Sequence, residues 1–411
     1  MEDRSPRELP AFAETAIVAG MNPTDAIVMD TLKRVMSPTH AGLPTFGRTE
    51  PTLLERFIER AAEHHRSGTG PFKVRIAVTS EPTQACTLEI GDTLSVVADD
   101  AIPSASVTLT PETLQAALAK SGSFDARIPE FACGIRIEGN MLAAHYLLQL
   151  VKRPDPRALM RLRYARSHAP SSLERVPEYS KADARRVAES LTASTPLHLR
   201  GVLHWPALEW SLEELVGLHG HTVLRHDSVA GRPETLEAFI DRWRGAASTA
   251  GAPYSGGCPL PQQLAALFPF PIFPEDAYYP VTQLWAGVRR ADTLVTPLHC
   301  DIAASFLAQV YGRKKVWLYT PAQHELLYPI DAFNTHQPCR VDPARPDFGR
   351  FARFKEAHAI EVTIEPGDLL IIPTGWYHCV WALDDVISVS RFMDDAWAAA
   401  RRSTEPLIAP H

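Results

Sequence analysis

The pattern of apolar and polar residues changes twice in the first third of the chain. Apolar residues recur at helical spacing within residues 1–50 and again over 52–65. From 72 to 107 they alternate with polar residues, with the period of two that is typical of strands. The pattern therefore predicts a helical lead-in over 1–50 and an α+β domain over 51–151.

Two phrases in this domain, SVTLTPETLQAAL and IRIEGNMLAAHYLL, each join a predicted strand to an apolar helix. The order of strands and helices around them resembles the sterol-carrier-protein-2 type of domain, and the resemblance covers residues 51–151. It implies a sheet and helices that enclose an apolar tunnel for lipids. The alternative is a small α+β module for packing or dimerisation, in which side chains fill the tunnel.

The rest of the chain divides by composition. Residues 152–175 carry seven arginines and lysines against two acidic residues, which predicts a basic helix and linker over 152–178. Such a face is solvated, docks on an acidic neighbour or receives an acidic peptide. Short apolar runs between turn residues then predict a mainly-β domain over 179–395, followed by a tail over 396–411. The proline- and glycine-rich stretch 252–274 is predicted to be a loop over the site described next.

A candidate metal site lies in the segment TPLHCDIAASFLAQVYGRKK. His299 and Asp301 are two residues apart in a predicted strand, so their side chains share a face. In the segment EPGDLLIIPTGWYHCVWAL, two turns bring His378 back on a later strand. Two imidazoles and one carboxylate suit Fe(II) and leave coordination positions open for other ligands.

The same segments carry a family resemblance. The phrases TPLHCD, FLAQVYGRKKVWLYTP, EPGDLLIIPTGWYHCV and ISVSRF resemble the JmjC-type, cupin-fold oxygenases, most closely the branch containing the asparaginyl hydroxylase factor inhibiting hypoxia-inducible factor. The resemblance implies a double-stranded β-helix, or jelly roll, with flanking helices. It implies that His299, Asp301 and His378 are the iron ligands, and that Fe(II), 2-oxoglutarate and O2 are the cofactors.

The resemblance also implies that Thr296 and Lys314 hold the far carboxylate of 2-oxoglutarate. The residues give Lys314 independent support, because after the Gly312 turn it shares a strand face with apolar side chains, whereas Lys315 lies on the other face. The aromatic residue that adds a hydroxyl to this carboxylate in the family is not assigned. Tyr279 is only a candidate for that role.

The chain departs from the family near the cosubstrate. Where family members often have asparagine, it has Ser305 and, in the last strand, Ser390 followed by Arg391. Two alternatives stay open. The serine hydroxyls take over the hydrogen bonds, or Arg391 grips a carboxylate through its planar fork.

The net charge, the apolar runs and the cysteines argue against some classes of protein. A net charge of −7 argues against nucleic-acid binding as the main function. No apolar run approaches the length of a membrane span, and the first residues do not resemble a secretory signal. The six cysteines form no CxxC pair, so we expect free thiols and a cytoplasmic location. Cys300 and Cys379 adjoin proposed ligands, but strand alternation turns them to the opposite face.

The family resemblance favours a dioxygenase that hydroxylates a C–H bond of a peptide, a protein side chain or a peptide-like metabolite and converts 2-oxoglutarate to succinate and CO2. The first alternative is the same chemistry on a lipid or another small molecule presented by the N-terminal domain. The second is a non-catalytic cupin that only binds a ligand. A homodimer stays open, and we predict that His336 and His358 are surface histidines because they lie in polar, non-periodic sequence.

Overall fold

The computed structural model describes most of the chain from residue 51 onward. The described residues are 51–65, 71–79, 84–98, 101–119, 124, 131, 133–151, 156–181, 183–227, 232–245, 254–270, 282–288, 292–330 and 336–393. The predicted lead-in over 1–50 and tail over 396–411, and Tyr279, lie outside them. Among the described helices, none is both long and apolar enough to cross a membrane.

The described helices and strands are numbered in chain order. The helices are α1 (Leu53–His64), α2 (Pro111–Ala119), α3 (Met141–Gln149), α4 (Pro156–His168), α5 (Ala184–Thr192), α6 (Leu212–His219), α7 (Leu236–Gly245) and α8 (Gln262–Ala265). The first ten strands are β1 (Phe72–Val78), β2 (Gln84–Ile90), β3 (Leu94–Val97), β4 (Ala105–Leu109), β5 (Ile135–Gly139), β6 (Glu178–Tyr179), β7 (Leu197–Leu199), β8 (Val223–Asp227), β9 (Arg232–Thr235) and β10 (Tyr254–Pro259). The others are β11 (Gln283–Gly287), β12 (Thr293–Asp301), β13 (Ala304–Tyr311), β14 (Lys314–Tyr319), β15 (His336–Pro338), β16 (Ile360–Ile364), β17 (Leu369–Ile372), β18 (Tyr377–Ala382) and β19 (Val386–Met393).

The N-terminal part is a five-stranded sheet in the order β3-β2-β1-β4-β5, with β1 and β4 parallel. Helix α1 begins where Thr52 and Glu55 exchange hydrogen bonds in a capping box, which satisfies backbone donors of its first turn. Apolar residues of α1, α2 and α3 pack on the sheet. The end of α1 is tied to the end of α3, because Nδ1 of His64 lies 2.7 Å from the carbonyl oxygen of Leu150.

Two facing sheets form the C-terminal part. Their orders are β10-β11-β19-β13-β17-β7-β6 and β15-β12-β18-β14-β16. Apolar side chains such as Leu307, Val316 and Val380 fill the space between them. Helices α5 to α8 cover the outer face of the larger sheet, and α4 packs on the outer face of the smaller one. The mainly-β prediction for this region is therefore confirmed.

The stretch predicted as a loop over the site contains a strand. Residues Tyr254–Pro259 form β10, which pairs with β11 and shifts register between Ser255 and Cys258. Gly257 lies in this bulge with a positive φ, a conformation that favours glycine. The glycines that suggested a loop serve a bulged edge strand, so the loop prediction is wrong for these residues.

A buried, hydrogen-bonded carboxylate ties the turn before β17 to β7. The carboxylate of Asp368 accepts hydrogen bonds from Nε2 of His198 at 2.9 Å and from the backbone N–H groups of Gly201 and Glu365 at 2.8 and 3.0 Å. Burial alone would raise the pKa of Asp368, but these hydrogen bonds outweigh it and lower the pKa below its usual value. The carboxylate therefore stabilises the fold as an anion.

Replacing Asp368 by asparagine is expected to lower the free energy of unfolding by about 3 kcal/mol, because it breaks a buried charge-assisted pair. Urea unfolding at neutral pH measures this. Since folding lowers the pKa of Asp368, the difference should persist above pH of about 4 and shrink as the pH falls further. The control Asp384→Asn breaks an exposed pair with Arg313 and should cost less than about 1 kcal/mol. Equal losses in the two variants would contradict this role of Asp368.

Candidate metal centre

Three side chains from two neighbouring strands converge in the smaller sheet. His299 and Asp301 lie on β12, and His378 lies directly opposite His299 on β18. Nε2 of His299 is 3.8 Å from Oδ1 of Asp301, and Nε2 of His378 is 3.7 Å from Oδ2. One ligand atom from each residue lies within 4.8 Å of the others, and all three residues are buried. The predicted grouping of two imidazoles and one carboxylate therefore occurs.

Backbone carbonyls fix the tautomers of both histidines. Nδ1 of His299 lies 2.8 Å from the carbonyl oxygen of Pro297, and Nδ1 of His378 lies 3.1 Å from that of Trp376. A carbonyl only accepts, so each Nδ1 carries the proton and donates it. Both Nε2 atoms are then left with lone pairs that face the aspartate, which is the state a metal ligand needs.

A glycine turn places His378. Gly375 has a positive φ, and its N–H donates to the carbonyl oxygen of Asp301 at 2.9 Å. A Cβ at this position would collide with Ala165 of α4, so the packing of that helix also requires glycine. This turn joins the end of β12 to the start of β18 and brings the two halves of the site together.

The cysteines beside the ligands face the other way. Cys300 and Cys379 lie in the apolar layer under α4, on the outer face of the sheet. Burial raises the pKa of Cys300 to about 12 and that of Cys379 well above its usual value. These thiols stay protonated and pack as small apolar groups.

Thr296 and His299 share a face because β12 is irregular. They are three residues apart, so a regular strand would place them on opposite faces. The register shifts between them, and Thr296 pairs with Val380 while His299 pairs with His378. Pro297, which lies within this shift and cannot donate to a regular ladder, is tolerated there.

Lys314 is 1% exposed, lies at the start of β14 and pairs with Ala382 on β18. Its Nζ donates to the hydroxyl of Tyr254 at 3.0 Å. Burial lowers the pKa of Lys314 from 10.5 to about 7. Among the described residues it forms no ion pair with a carboxylate. Because a buried ammonium group is stable only when it is paired, this lysine is suited to bind an anionic ligand.

Tyr254 is an aromatic residue beside Lys314 that the sequence analysis did not identify. Its hydroxyl also forms a hydrogen bond with Thr296, which links the two predicted cosubstrate residues. Burial raises the pKa of Tyr254, so the hydroxyl stays protonated and can donate. The signal was hidden because Tyr254 opens the bulged edge strand β10, within the stretch predicted to be a loop.

Ser390 and Arg391 are adjacent on β19, so their side chains lie on opposite faces of the sheet. Ser390 pairs with Leu307, which faces the interior, and its hydroxyl accepts from Nε1 of Trp285 at 2.7 Å. Arg391 pairs with Phe306, which belongs to the core under the helices, so alternation turns Arg391 out of the interior. This register therefore favours the serine alternative over a carboxylate contact by Arg391.

Ser305 lies on the interior side of β13. It pairs with Ile372, whose side chain is part of the apolar filling between the sheets, and it is buried. Its side chain therefore faces the interior between the two sheets.

His336 lies beside the site, against the prediction. It forms part of the short strand β15, pairs with Asp301 and packs edge-on against His299 with ring centroids 5.5 Å apart. His358 is exposed as predicted. The polar sequence around His336 hid a three-residue strand that is too short to show a period.

Comparison with known proteins agrees with this geometry. Residues 232–397 match the family model described as a cupin-like domain. Lysine-specific demethylase 8 of Xenopus tropicalis is 33% identical over 215 residues, 49% of this chain and 48% of that protein. The 2-oxoglutarate and iron-dependent oxygenase JMJD4 of Danio rerio is 36% identical over 101 residues, 23% of each chain. JmjC domain-containing protein D of Dictyostelium discoideum is 37% identical over 109 residues, 26% of this chain and 23% of that protein.

Residues 232–397 thus match a cupin-like domain, and this part of the chain is similar to JmjC proteins, among them a 2-oxoglutarate and iron-dependent oxygenase. This family uses Fe(II), 2-oxoglutarate and O2, and the donor set of two histidine Nε2 atoms and one aspartate fits that metal. The chain spans about half the length of the first of these relatives and about a quarter of each of the other two.

Proposed function

We propose that this protein is an Fe(II)- and 2-oxoglutarate-dependent dioxygenase that hydroxylates a C–H bond of a peptide, a protein side chain or a peptide-like metabolite. In this proposal His299, Asp301 and His378 hold the iron. One observation carries it: the same barrel interior contains this triad and the buried Lys314, which has no carboxylate partner in the part of the chain that the structure describes. A metal together with a deeper cation is what a 2-oxo dicarboxylic acid requires.

When bound, iron and 2-oxoglutarate supply the oxidative decarboxylation of the cosubstrate by O2, which yields succinate and CO2 and places the second oxygen atom on the substrate carbon. The residues of the chain bind and orient. Lys314, Tyr254 and Thr296 converge on one point, where they would hold the far carboxylate of 2-oxoglutarate. Ser305 and Ser390 would line the same interior.

No general base is needed in this scheme. The carbonyls of Pro297 and Trp376 keep His299 and His378 in the tautomer that binds metal, and the buried position of the triad limits access of water. The protein contributes mainly position, by holding the target carbon beside the metal.

A peptide or protein substrate is favoured by the relatives. One of these relatives is lysine-specific demethylase 8. Hydroxylation and demethylation begin with oxidation of a C–H bond, so both are compatible with the triad. Hydroxylation is the proposal, and loss of a methyl group is the other outcome that the experiment distinguishes.

The lipid alternative has less support from the N-terminal domain. A tunnel wide enough for a lipid would leave the side chains that line it partly exposed. The large aromatic residues of this core, Phe57, Phe124, Phe131 and Tyr146, are at most 1% exposed. A packed core, as in the α+β module predicted as the alternative, accounts for this burial.

The proposal is tested with protein purified without oxygen and loaded with Fe(II) and 2-oxoglutarate. On admission of O2, we expect succinate, with more of it in the presence of a peptide library than of a lipid extract. Mass spectrometry should find a peptide that has gained one oxygen atom, whereas loss of a methylene unit would indicate demethylation. Metal binding without any succinate would instead support a non-catalytic binding protein.

Replacing Tyr254 by phenylalanine is expected to weaken 2-oxoglutarate binding about tenfold, because one hydrogen bond to a charged group is lost. Calorimetric titration of the Mn(II)-loaded protein measures the dissociation constant. The control Tyr179→Phe changes an exposed tyrosine and should leave the constant within a factor of about two. A Tyr254→Phe protein that binds as tightly as the control would remove Tyr254 from the proposed pocket.

A further inference from the structure

The N-terminal domain reaches the metal centre through one helix. Gln149, at the end of α3, lies with its amide nitrogen 3.2 Å from Nε2 of His336. An amide nitrogen only donates, so His336 accepts through Nε2. His145, one turn earlier on α3, packs edge-on against the same ring with centroids 6.2 Å apart. Two side chains of this helix therefore fix one imidazole of the barrel.

That imidazole in turn contacts a proposed iron ligand. The rings of His336 and His299 are nearly perpendicular, at 88°, with centroids 5.5 Å apart. On its other side, the ring of His299 lies against that of His378 at 4.3 Å. His299 thus has a neighbour on each side, and its orientation depends on both.

The strand that carries His336 is short and lies at the edge of its sheet. β15 has three residues, each paired with β12. On its other side it is held by the preceding segment, because the N–H of Ile330 donates to the carbonyl oxygen of Pro338 at 2.8 Å. The barrel residue Ile330 shortly before it is buried in the core of the N-terminal domain, and its carbonyl accepts from Nε2 of Gln337 at 3.3 Å. The N-terminal domain therefore anchors the strand at two points.

We propose that the N-terminal α+β domain is a positioning element of the iron centre: α3, through Gln149, holds His336 against His299 and so fixes the ring of that ligand. This inference rests on the proposed function. It gives the domain a role that needs no lipid, because the end of α3 acts directly on the edge of the metal site. Gln149 and His336 are positioning residues, since neither is a metal ligand in this scheme.

The experiment uses the full chain loaded with Mn(II) or Co(II). Gln149→Leu and His336→Phe each replace one member of this partly buried hydrogen bond by an apolar side chain. We expect Mn(II) affinity to fall about tenfold, the lower end of the loss caused by outer partners of a ligand. The Co(II) absorption spectrum, which reports ligand geometry, should change with it. The double variant replaces both partners by apolar groups and should recover the affinity to within about threefold.

The control Thr52→Ala removes the capping box at the start of α1, the end of that helix away from its tie to α3. It should lower the melting temperature and leave the Co(II) spectrum unchanged. Circular dichroism checks that each variant is folded. Unchanged metal affinity in both single variants, a double variant as weak as the singles, or a control with the same spectral change would overturn the inference. A wild-type protein that binds neither metal would contradict the proposed function itself, and this inference with it.

Discussion

Asp301→Ala is expected to abolish succinate formation and to remove specific metal binding. The carboxylate is the only anionic member of the triad, and both histidine Nε2 atoms face it at less than 4 Å. Loss of an outer partner of a metal ligand typically costs about 10–100-fold in affinity, so loss of this ligand should cost more. The dissociation constant for Mn(II) and single-turnover succinate formation with Fe(II) measure the effect.

Thermal unfolding gives a second readout that does not depend on turnover. A ligand that binds the folded state raises the melting temperature, so Mn(II) should stabilise the wild type and not the Asp301→Ala protein. His358→Ala, at an exposed histidine of the same domain, is the control and should behave as wild type. If Asp301→Ala still gains stability from Mn(II) to the same extent, the metal binds elsewhere and the proposed triad is wrong.

The triad is accessible to sequence reasoning because it needs only the period of a strand. His299 and Asp301 are two apart and share a face in the structure, and His378 returns on the neighbouring strand as the two turns predict. The same alternation placed Lys314 inside and Lys315 outside, and the structure agrees, since Lys315 pairs with the exposed Asp292.

The positions of Thr296 and Tyr254 depend on departures from the two-residue period of a regular strand. Thr296 reaches the face of His299 only through a register shift, which alternation does not predict. Tyr254 comes from a distant edge strand whose glycine-containing bulge has the composition of a loop. In both cases the irregular backbone that brings the residue to the site also breaks the alternating pattern from which a strand is predicted.

Contacts between distant segments decide the positions of two further residues. His336 looked like a surface residue because its own sequence is polar, but α3 and β12 contact it from two sides and leave it only partly exposed. Arg391 looked like a carboxylate ligand because of its chemistry, yet one step along β19 separates it from the interior face of Ser390. The chemistry of a side chain identifies candidates, but the strand register decides which of two adjacent residues faces the interior.

Lys314→Met is expected to weaken 2-oxoglutarate binding about 100-fold, because a charge-assisted hydrogen bond in a dry interior is lost. Lys315→Met is a matched control one residue away: Lys315 lies on the opposite face, so its replacement should change the dissociation constant by less than about twofold. Both are measured by titration of the Mn(II)-loaded protein. Comparable losses in the two variants would mean that general charge, and not the interior cation, attracts the cosubstrate.

The pH dependence of binding tests the same lysine without relying on its replacement alone. Burial lowers the pKa of Lys314 to about 7 in the ligand-free protein, and a carboxylate beside it would raise that pKa again. Binding therefore takes up a proton above pH of about 7, and the affinity for 2-oxoglutarate should fall by up to about tenfold per pH unit between about 7.5 and 9.5.

The stability of the ligand-free protein should move in the opposite direction. Between the folded pKa of about 7 and the unfolded value of 10.5, the unfolded chain binds more protons at this lysine, so stability rises with pH across that interval and is lowest below it. In Lys314→Met both slopes should disappear. Because 2-oxoglutarate supplies the missing counter-charge, saturating cosubstrate should also flatten the stability slope of the wild type. A slope that survives the substitution would assign the titration to another group and leave Lys314 without its proposed role.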